Sequence, residues 1–335
     1  MIPIRGYAGF DTLKHIWIGA MFTDQQIMDT PALQSNPQVS EPLLRIASET
    51  REDLQQLRHI LESHGVVVHQ SRPQGQFDIA TKPPINARDD FAVVGDHIHT
   101  ATWTMKPWRD LVSSVDRSAL KIRTLPRGVS PTTANVMRLG RDLFWDVAPT
   151  WLQSDIDHYV QLWSDQGFDV HLSHRGYHSD SAFHVVKPGV IVSMEDVQDY
   201  DQLFPGWQVL YIGDEPSYSL ESSELIRSFR ELKQRNGGRW WLIGEEHNHT
   251  FTEFVNTTLQ SWTGYMEETK FDVNMLSIDQ STVIVNCYNK RIFDFLASHG
   301  VTPILFEFRH RYFFDGGVHC VTQDLYREGE QISYL

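Results

Sequence analysis

ANVMRLGRDLFWDV, residues 134–147, places two short apolar strands on either side of a Gly140-Arg141 turn, the pattern of a tight hairpin. The unit recurs as FAVVGDHIHTATW (91–103), FHVVKPGVIVSM (183–194), NMLSIDQSTVIVN (274–286) and GVHCVTQDLYRE (317–328), with turns near residues 95, 140, 188, 279 and 323. Three of the four gaps between turns are about 45–50 residues, and helix-like stretches such as SDIDHYVQLWSDQGF and NKRIFDFLASHG lie between units. A hairpin plus a helix does not bury its apolar face alone, so the recurrence points to a repeat architecture closed by its own symmetry. A generic mixed α/β chain with coincidental hairpins is the alternative. The remaining gap is about twice as long, and its polar, aromatic residues 215–267 read as an insertion in one domain spanning residues 1–335.

Upstream of the repeats, SEPLLRIASETREDLQQLRHILESHG carries Leu43, Ile46, Leu54, Leu57, Ile60 and Leu61 at spacings near 3.6 and stops at Gly65. This predicts an amphipathic helix running into the strand VVVHQ. Composition bounds the partners. A net charge of -14 disfavours nucleic acid, and the basic stretch LKIRTLPR is too short to offset it. The longest apolar runs, FAVVG and GVIVSM, fall far short of the ~20 residues that cross a bilayer. Two cysteines, Cys287 and Cys320, form no disulfide framework, and the chain opens on strand-like alternation with no leader pattern, so a reducing, cytoplasmic setting is expected.

Three pieces near different hairpins carry reactive residues: ARDDFAVVGDHI with Asp89, GYHSDSAFHVVKPG with His178 and Asp180, and GGVHC with Cys320. Singly, an Asp before a strand is usually a solvated cap, a loop His is usually polar surface and a buried Cys is usually inert packing. Together they amount to a nucleophile, an acid-base group and two carboxylates brought from separate units to one axis. That set suits a guanidinium carbon, which is flat, cationic and resonance-stabilised. Carboxylates receive its N–H fork, a thiolate attacks it, and a histidine titrating near neutrality protonates the leaving amine.

At these residues the chain resembles the amidinotransferase family, typified by arginine:glycine amidinotransferase and the inosamine-phosphate enzymes, within the guanidino-group-modifying superfamily that includes arginine deiminase. RDDFAVVGDHI, ANVMRLGRDLF, HSDSAFHVVKPGVIVS and GGVHCVTQDLYREG look like that family's motif series, in its order, from LKHIWIG to the final QISYL. The resemblance implies a five-bladed pseudo-symmetric α/β propeller of ββαβ-type units. It implies Cys320 as nucleophile and His178 as general acid and base, with Asp89, Asp180, His319 and Gly317 at the substrate and no metal or cofactor. The expected activity is transfer of an amidino group from a guanidino donor such as arginine to an amine acceptor, with hydrolysis of the same donor, or ligand binding without turnover, as alternatives. A homodimer is compatible with it.

Two departures qualify the match. Thr132 stands where the family carries an acid that orients the histidine; a threonine does not stabilise an imidazolium, and Asp142 or Asp146 are the candidate substitutes. Where arginine-using members hold the substrate carboxylate with an Arg, SMEDVQDYDQ supplies Glu195, Asp196, Asp199 and Asp201 instead. A competing reading puts a metal on His97 and His99 of GDHIHT, or on His247 and His249 of EEHNHT with Glu245, each pair on one strand face. Nothing in the sequence fixes the further ligands such a site needs. Cys287, in TVIVNCY, is expected to be a core residue, and Trp240 and Trp241 in the insertion are candidate lid residues.

Overall fold

The computed structural model describes residues 1–70, 78–101, 108–123, 131–174, 178–194, 200–212, 242, 244, 245, 247–263 and 271–335. Trp240, Trp241, Glu195, Asp196 and Asp199 lie outside them.

Strand β1 (Thr12–Ile18) is followed by the long helix Pro37–Ser63 and by β2 (Val67–Gln70), which lies parallel to β1. The helix stops where Gly65 takes φ +76, a left-handed conformation that costs glycine nothing. Its apolar stripe, Leu43, Ile46, Leu54, Leu57 and Leu61, is buried. Four ββαβ units follow. β3 (Ala92–Val94) and β4 (His97–Ala101) are antiparallel, and β5 (Leu120–Arg123) is parallel to β4. The same pattern joins β6 (Val136–Leu139), β7 (Asp142–Asp146) and β8 (Asp169–Ser173), then β9 (Phe183–Lys187), β10 (Val190–Ser193) and β11 (Gln208–Tyr211), then β12 (Leu276–Asp279), β13 (Thr282–Val285) and β14 (Thr302–Leu305). Helices Arg109–Ser114, Gln153–Ser164, Tyr200–Leu203 and Lys290–Ser298 are the crossovers. Gly140 shows why the turns hold their glycines: its φ is +66, and an added Cβ would lie 2.0 Å from the Ile332 carbonyl oxygen.

The fifth unit differs from its sequence reading. GVHCVTQDLYRE was expected to be a hairpin turning near residue 323, but residues 318–321 form turns and β15 (Thr322–Glu328) is one uninterrupted strand. Its partner is β1, antiparallel, with Thr12 opposite Glu328 and Ile18 opposite Thr322. The last blade is therefore assembled from both ends of the chain, in the order β15-β1-β2. Five three-stranded sheets result, the five blades of an α/β propeller.

The first strand of each unit is innermost. Among the groups buried there, Arg88, Arg138 and Arg327 converge on Asp324: Arg88 Nη1 lies 3.0 Å from Asp324 Oδ1, Arg327 Nε lies 2.7 Å from Oδ2, and Arg138 Nη2 also reaches Oδ2. Burial alone would push the Asp324 carboxyl up, but the three guanidinium groups hold it well below the usual range. Removing the carboxylate would leave three buried cations facing one another, so this cluster ties the blades together at a position no hydrophobic pattern reveals.

The second proposed histidine pair is also corrected. His249 opens the helix His249–Thr257, and Asn248 caps it by accepting from the Phe251 N–H at 2.9 Å, so EEHNHT is a helix start and not a strand. Among the described residues, no helix is long and apolar enough to cross a membrane.

Candidate active site

Because the middle strand of each unit runs antiparallel to the inner one, the start of every inner strand and the end of every middle strand share one end of the propeller. The reactive residues sit just before inner strands. Asp89 closes a 3-10 turn ahead of β3, Thr132 precedes β6, His178 and Asp180 precede β9, and Cys320 precedes β15. Asn274 holds the corresponding place before β12.

Cys320 is buried, 4% exposed. Its sulfur lies 3.7 Å from Asp180 Oδ2, toward which the thiol donates, and receives a hydrogen bond from Asn274 Nδ2 at 3.1 Å. Asp180 Oδ2 also accepts from His319 Nδ1 at 2.7 Å and from Asn274 Nδ2 at 3.3 Å. His319 is thus engaged with the carboxylate of Asp180. Gly317 has a packing reason: an added Cβ would meet Asn274 Oδ1 at 2.5 Å and Asn286 Nδ2 at 2.7 Å. The Val318 N–H donates to Asn286 Oδ1 at 2.6 Å, and Asn286 Nδ2 donates to the Asn274 and Phe271 carbonyls. These contacts hold residues 318–320 in a turn and explain why the apolar run there is not a strand.

Asn274 and Asn286 were missed in the sequence. The signal was present, since they are the first and last residues of the otherwise apolar hairpin NMLSIDQSTVIVN, and both are buried, at 0% and 1% exposure. A polar residue buried at each end of an apolar hairpin needs partners, and here the partners are in the Cys320 turn.

His178 Nδ1 lies 3.7 Å from Asp89 Oδ1. Asp89 Oδ1 and Asp180 Oδ1 are both buried and have no hydrogen-bond partner among the described residues. Buried carboxylate oxygens are ordinarily satisfied, so Asp180 Oδ1 and Asp89 Oδ1, the latter 3.7 Å from His178 Nδ1, mark where donors are wanted. Burial, followed by the charges of Asp180 and Asp89, pushes the Cys320 thiol well above its ordinary value. With these surroundings Cys320 is a thiol. Burial also drives His319 down to about 4, so it is a neutral donor to Asp180.

Thr132 is buried, and its hydroxyl donates to Asn135 Oδ1 at 2.7 Å. Its turn backs onto that of His178: Ser179 Oγ donates to the Asn135 carbonyl at 3.2 Å, and the Asp180 N–H to the Ala134 carbonyl at 3.4 Å. Of the two candidate substitutes for an acid here, Asp142 opens β7 at the far end of the propeller and accepts from His171 Nε2 at 2.8 Å. Asp146 closes β7 at the reactive end, is buried, and its N–H donates to the Asn135 carbonyl at 2.9 Å.

His97 and His99 do share β4, with ring centroids 6.2 Å apart. His99 Nε2 accepts from Trp163 Nε1 at 3.3 Å, and burial lowers its pKa to about 3. Among the described residues, no three His, Cys, Asp or Glu side chains are grouped to hold a metal ion. Cys287 sits away from these contacts and is half-buried just past the end of β13, not a core residue as expected; desolvation, with Asp272 beside it, pushes its thiol well above the ordinary value.

No family model and no curated protein matches the sequence. Solved structures do match in fold. An amidinotransferase of Microseira wollei from the saxitoxin biosynthetic pathway superposes with a TM-score of 0.67 at 19% identity, over 100% of both chains. The inosamine-phosphate amidinotransferase of Streptomyces griseus gives 0.67 at 18% identity, over 99% of each. The dimethylarginine dimethylaminohydrolase of Pseudomonas aeruginosa, solved with citrulline, gives 0.56 at 11% identity, over 93% of this chain and 98% of that one. The chain has the α/β propeller fold found in these amidinotransferases and guanidino-group hydrolases.

Proposed function

We propose that this protein is an amidinotransferase that passes an amidino group from a guanidino donor, arginine being the first candidate, to an amine through a covalent amidino-cysteine on Cys320. The observation that carries this reading is the pair of buried carboxylate oxygens without a hydrogen bond among the described residues, Asp89 Oδ1 and Asp180 Oδ1, on the two side chains whose charges act on the Cys320 thiol. A guanidinium offers several N–H donors in a plane, which suits two acceptors delivered from different blades. Bound there, its charge offsets both carboxylates and reverses the electrostatics that otherwise keep Cys320 protonated. The donor therefore helps to generate the thiolate that attacks it.

His178 takes the Cys320 proton as the Sγ–C bond forms. The C–N bond to the leaving amine breaks as His178 delivers a proton to that nitrogen. An incoming neutral amine attacks the amidino-cysteine, gives a proton to His178, and expels the thiolate as the S–C bond breaks. Every step balances with substrates and side chains alone. The full-length superposition on two amidinotransferases supports transfer as the outcome. We also read the chain as one domain: helix His249–Thr257, inside the 215–267 insertion, packs on the long helix Pro37–Ser63, and Phe251 and Val255 join its apolar cluster.

The test is to incubate the protein with arginine, quench, and weigh the intact chain. One added amidino group, lost in Cys320→Ala and kept in Cys287→Ala, is expected; labelling that survives Cys320→Ala overturns the assignment. Product analysis separates the two chemistries. Ornithine formed only with an added amine supports transfer, and citrulline formed without one makes the protein a hydrolase.

A further inference from the structure

We propose that Asn274 is a positioning residue for the nucleophile, its amide N–H₂ serving as the shared donor that lets the Cys320 thiolate exist beside the Asp180 carboxylate. The inference deepens the amidino-transfer reading and rests on Cys320 being the reacting thiol.

The hydrogen bonds fix which way the amide faces. Asn274 Oδ1 receives the His319 N–H at 3.0 Å and the Cys320 N–H at 3.4 Å, and backbone N–H groups only donate. The N–H₂ end must then point the other way, to Cys320 Sγ at 3.1 Å, Asp180 Oδ2 at 3.3 Å and the Asp180 carbonyl at 3.5 Å. One side chain thus grips the backbone of the nucleophile and also solvates its sulfur. The charged groups facing that sulfur are Asp180 and Asp89, both of which resist its ionisation, while the Asn274 amide and the Gly317 backbone favour it. When the thiol loses its proton, the contact from Cys320 to Asp180 changes from a hydrogen bond to two anions 3.7 Å apart. Asn274 is the side chain that touches both, and a donor to a charged acceptor is the stronger kind of hydrogen bond. Asn286 fixes Asn274 from behind through the Asn274 carbonyl.

The experiment uses the full chain in a Cys287→Ala background, where Cys320 is the sole thiol, and measures its alkylation by iodoacetamide across a pH series. Below the pKa of a thiol the thiolate fraction changes tenfold per pH unit, so the rate ratio between variants at one pH reads the shift directly. Asn274→Asp keeps the acceptor that the backbone N–H groups need and removes the N–H₂. It should slow alkylation at fixed pH by about tenfold or more, the scale of one hydrogen bond to a charged group. Asn274→Ser, which adds no charge, should slow it in the same direction by less, and it carries the test if Asn274→Asp does not fold. A site merely loosened by substitution would react faster, the opposite sign. Alkylation rates equal to or above the parent in the folded variants would overturn the proposal and leave Asn274 a packing residue. Mass trapping on Cys320 is independent: if trapping succeeds and alkylation is unshifted, this inference fails alone, and if trapping fails, the amidino-transfer reading fails whatever the alkylation shows.

Discussion

Asp89 and Asp180 stand at equivalent places, each in a 3-10 turn three residues ahead of an inner strand, β3 and β9. Their surroundings differ. Asp180 is held by His319 Nδ1 and Asn274 Nδ2; burial opposes its charge, but these donors and nearby cations keep its carboxyl below the usual range. For Asp89 burial wins and, with the charge of Asp180, raises its carboxyl, although His178 at 3.7 Å, the charge of Lys82 and a hydrogen bond from Asn86 favour the anion. The same backbone position has yielded one carboxylate fixed as an anion and one that gains its best partner when a cation arrives. Equivalent placement in a repeat sets where a group goes, and the neighbours brought by other blades set its protonation state.

Asp180→Asn should break this comparison most severely. It takes the acceptor from His319 and Asn274 and one charge from the guanidinium site. Turnover on a guanidino donor should fall by about 10²–10³-fold, the scale of 2–5 kcal/mol for truncating one partner of a buried charged pair. The melting temperature should fall too. A depressed folded pKa contributes stability that is present above the unfolded value and lost as pH falls through the folded one, and the Asn variant lacks it at neutral pH. Kinetics and a thermal melt at pH 7 check both.

Asp89→Asn should separate binding from stability. The KM for the donor should rise by about tenfold or more, the scale of one charged hydrogen bond. A raised folded pKa means that the protonated form is favoured on folding, so this contribution is greatest at low pH and is lost as pH rises through the folded pKa. A neutral Asn therefore keeps or slightly raises the melting temperature at pH 7; the gain is small because 28% of the Asp89 side chain stays exposed. If Asp89→Asn and Asp180→Asn lower the melting temperature equally, the contrast between the two carboxylates is wrong.

The acid limb of donor binding sharpens the contrast further. As pH falls, affinity should weaken first through Asp89, coupled to its neighbour Asp90, which burial and the Asp89 charge push up to about 7 while Trp108 Nε1 donates to it at 2.8 Å. Asp180 stays ionised over that range. Isothermal titration against pH should show this limb in the parent and a weakened one in Asp89→Asn. A limb unchanged by that substitution assigns it to another group.

The smallest effect is expected at Thr132. Thr132→Asp restores an acid next to the His178 turn, where Asn135 already accepts from the hydroxyl. Turnover should rise, or its pH optimum move upward, by a modest amount while the protein still folds. Asp142→Asn should leave turnover unchanged, because Asp142 opens β7 at the opposite end and is bonded to His171. Loss of activity in Thr132→Asp would mark Thr132 as adapted to a different substrate.

Much of this was legible in the residues. Hairpins such as 134–147 declare themselves through apolar alternation around a glycine, because strand pattern and turn conformation are set by neighbours a few positions apart. The long helix and its stop at Gly65 follow from the 3.6-residue spacing for the same reason. Cys320, His178, Asp89 and Asp180 could be proposed as candidates from their residue types, and the fold puts Asp180 against Cys320 and Asp89 against His178. Three things depended on closure of the ring. The last blade joins β15 to β1, so residues near 323 have no local partner and the hairpin expected there does not form. Arg88, Arg138 and Arg327 meet Asp324, although an Arg in a turn or a strand reads as surface. Asn274 reaches Cys320, and His319 reaches Asp180, from blades distant in sequence. Short-range propensity set the elements and offered the candidate groups; burial and cross-blade hydrogen bonds, which exist only in the closed structure, decided which carboxylate is charged, which thiol is protonated and what holds Cys320 in place.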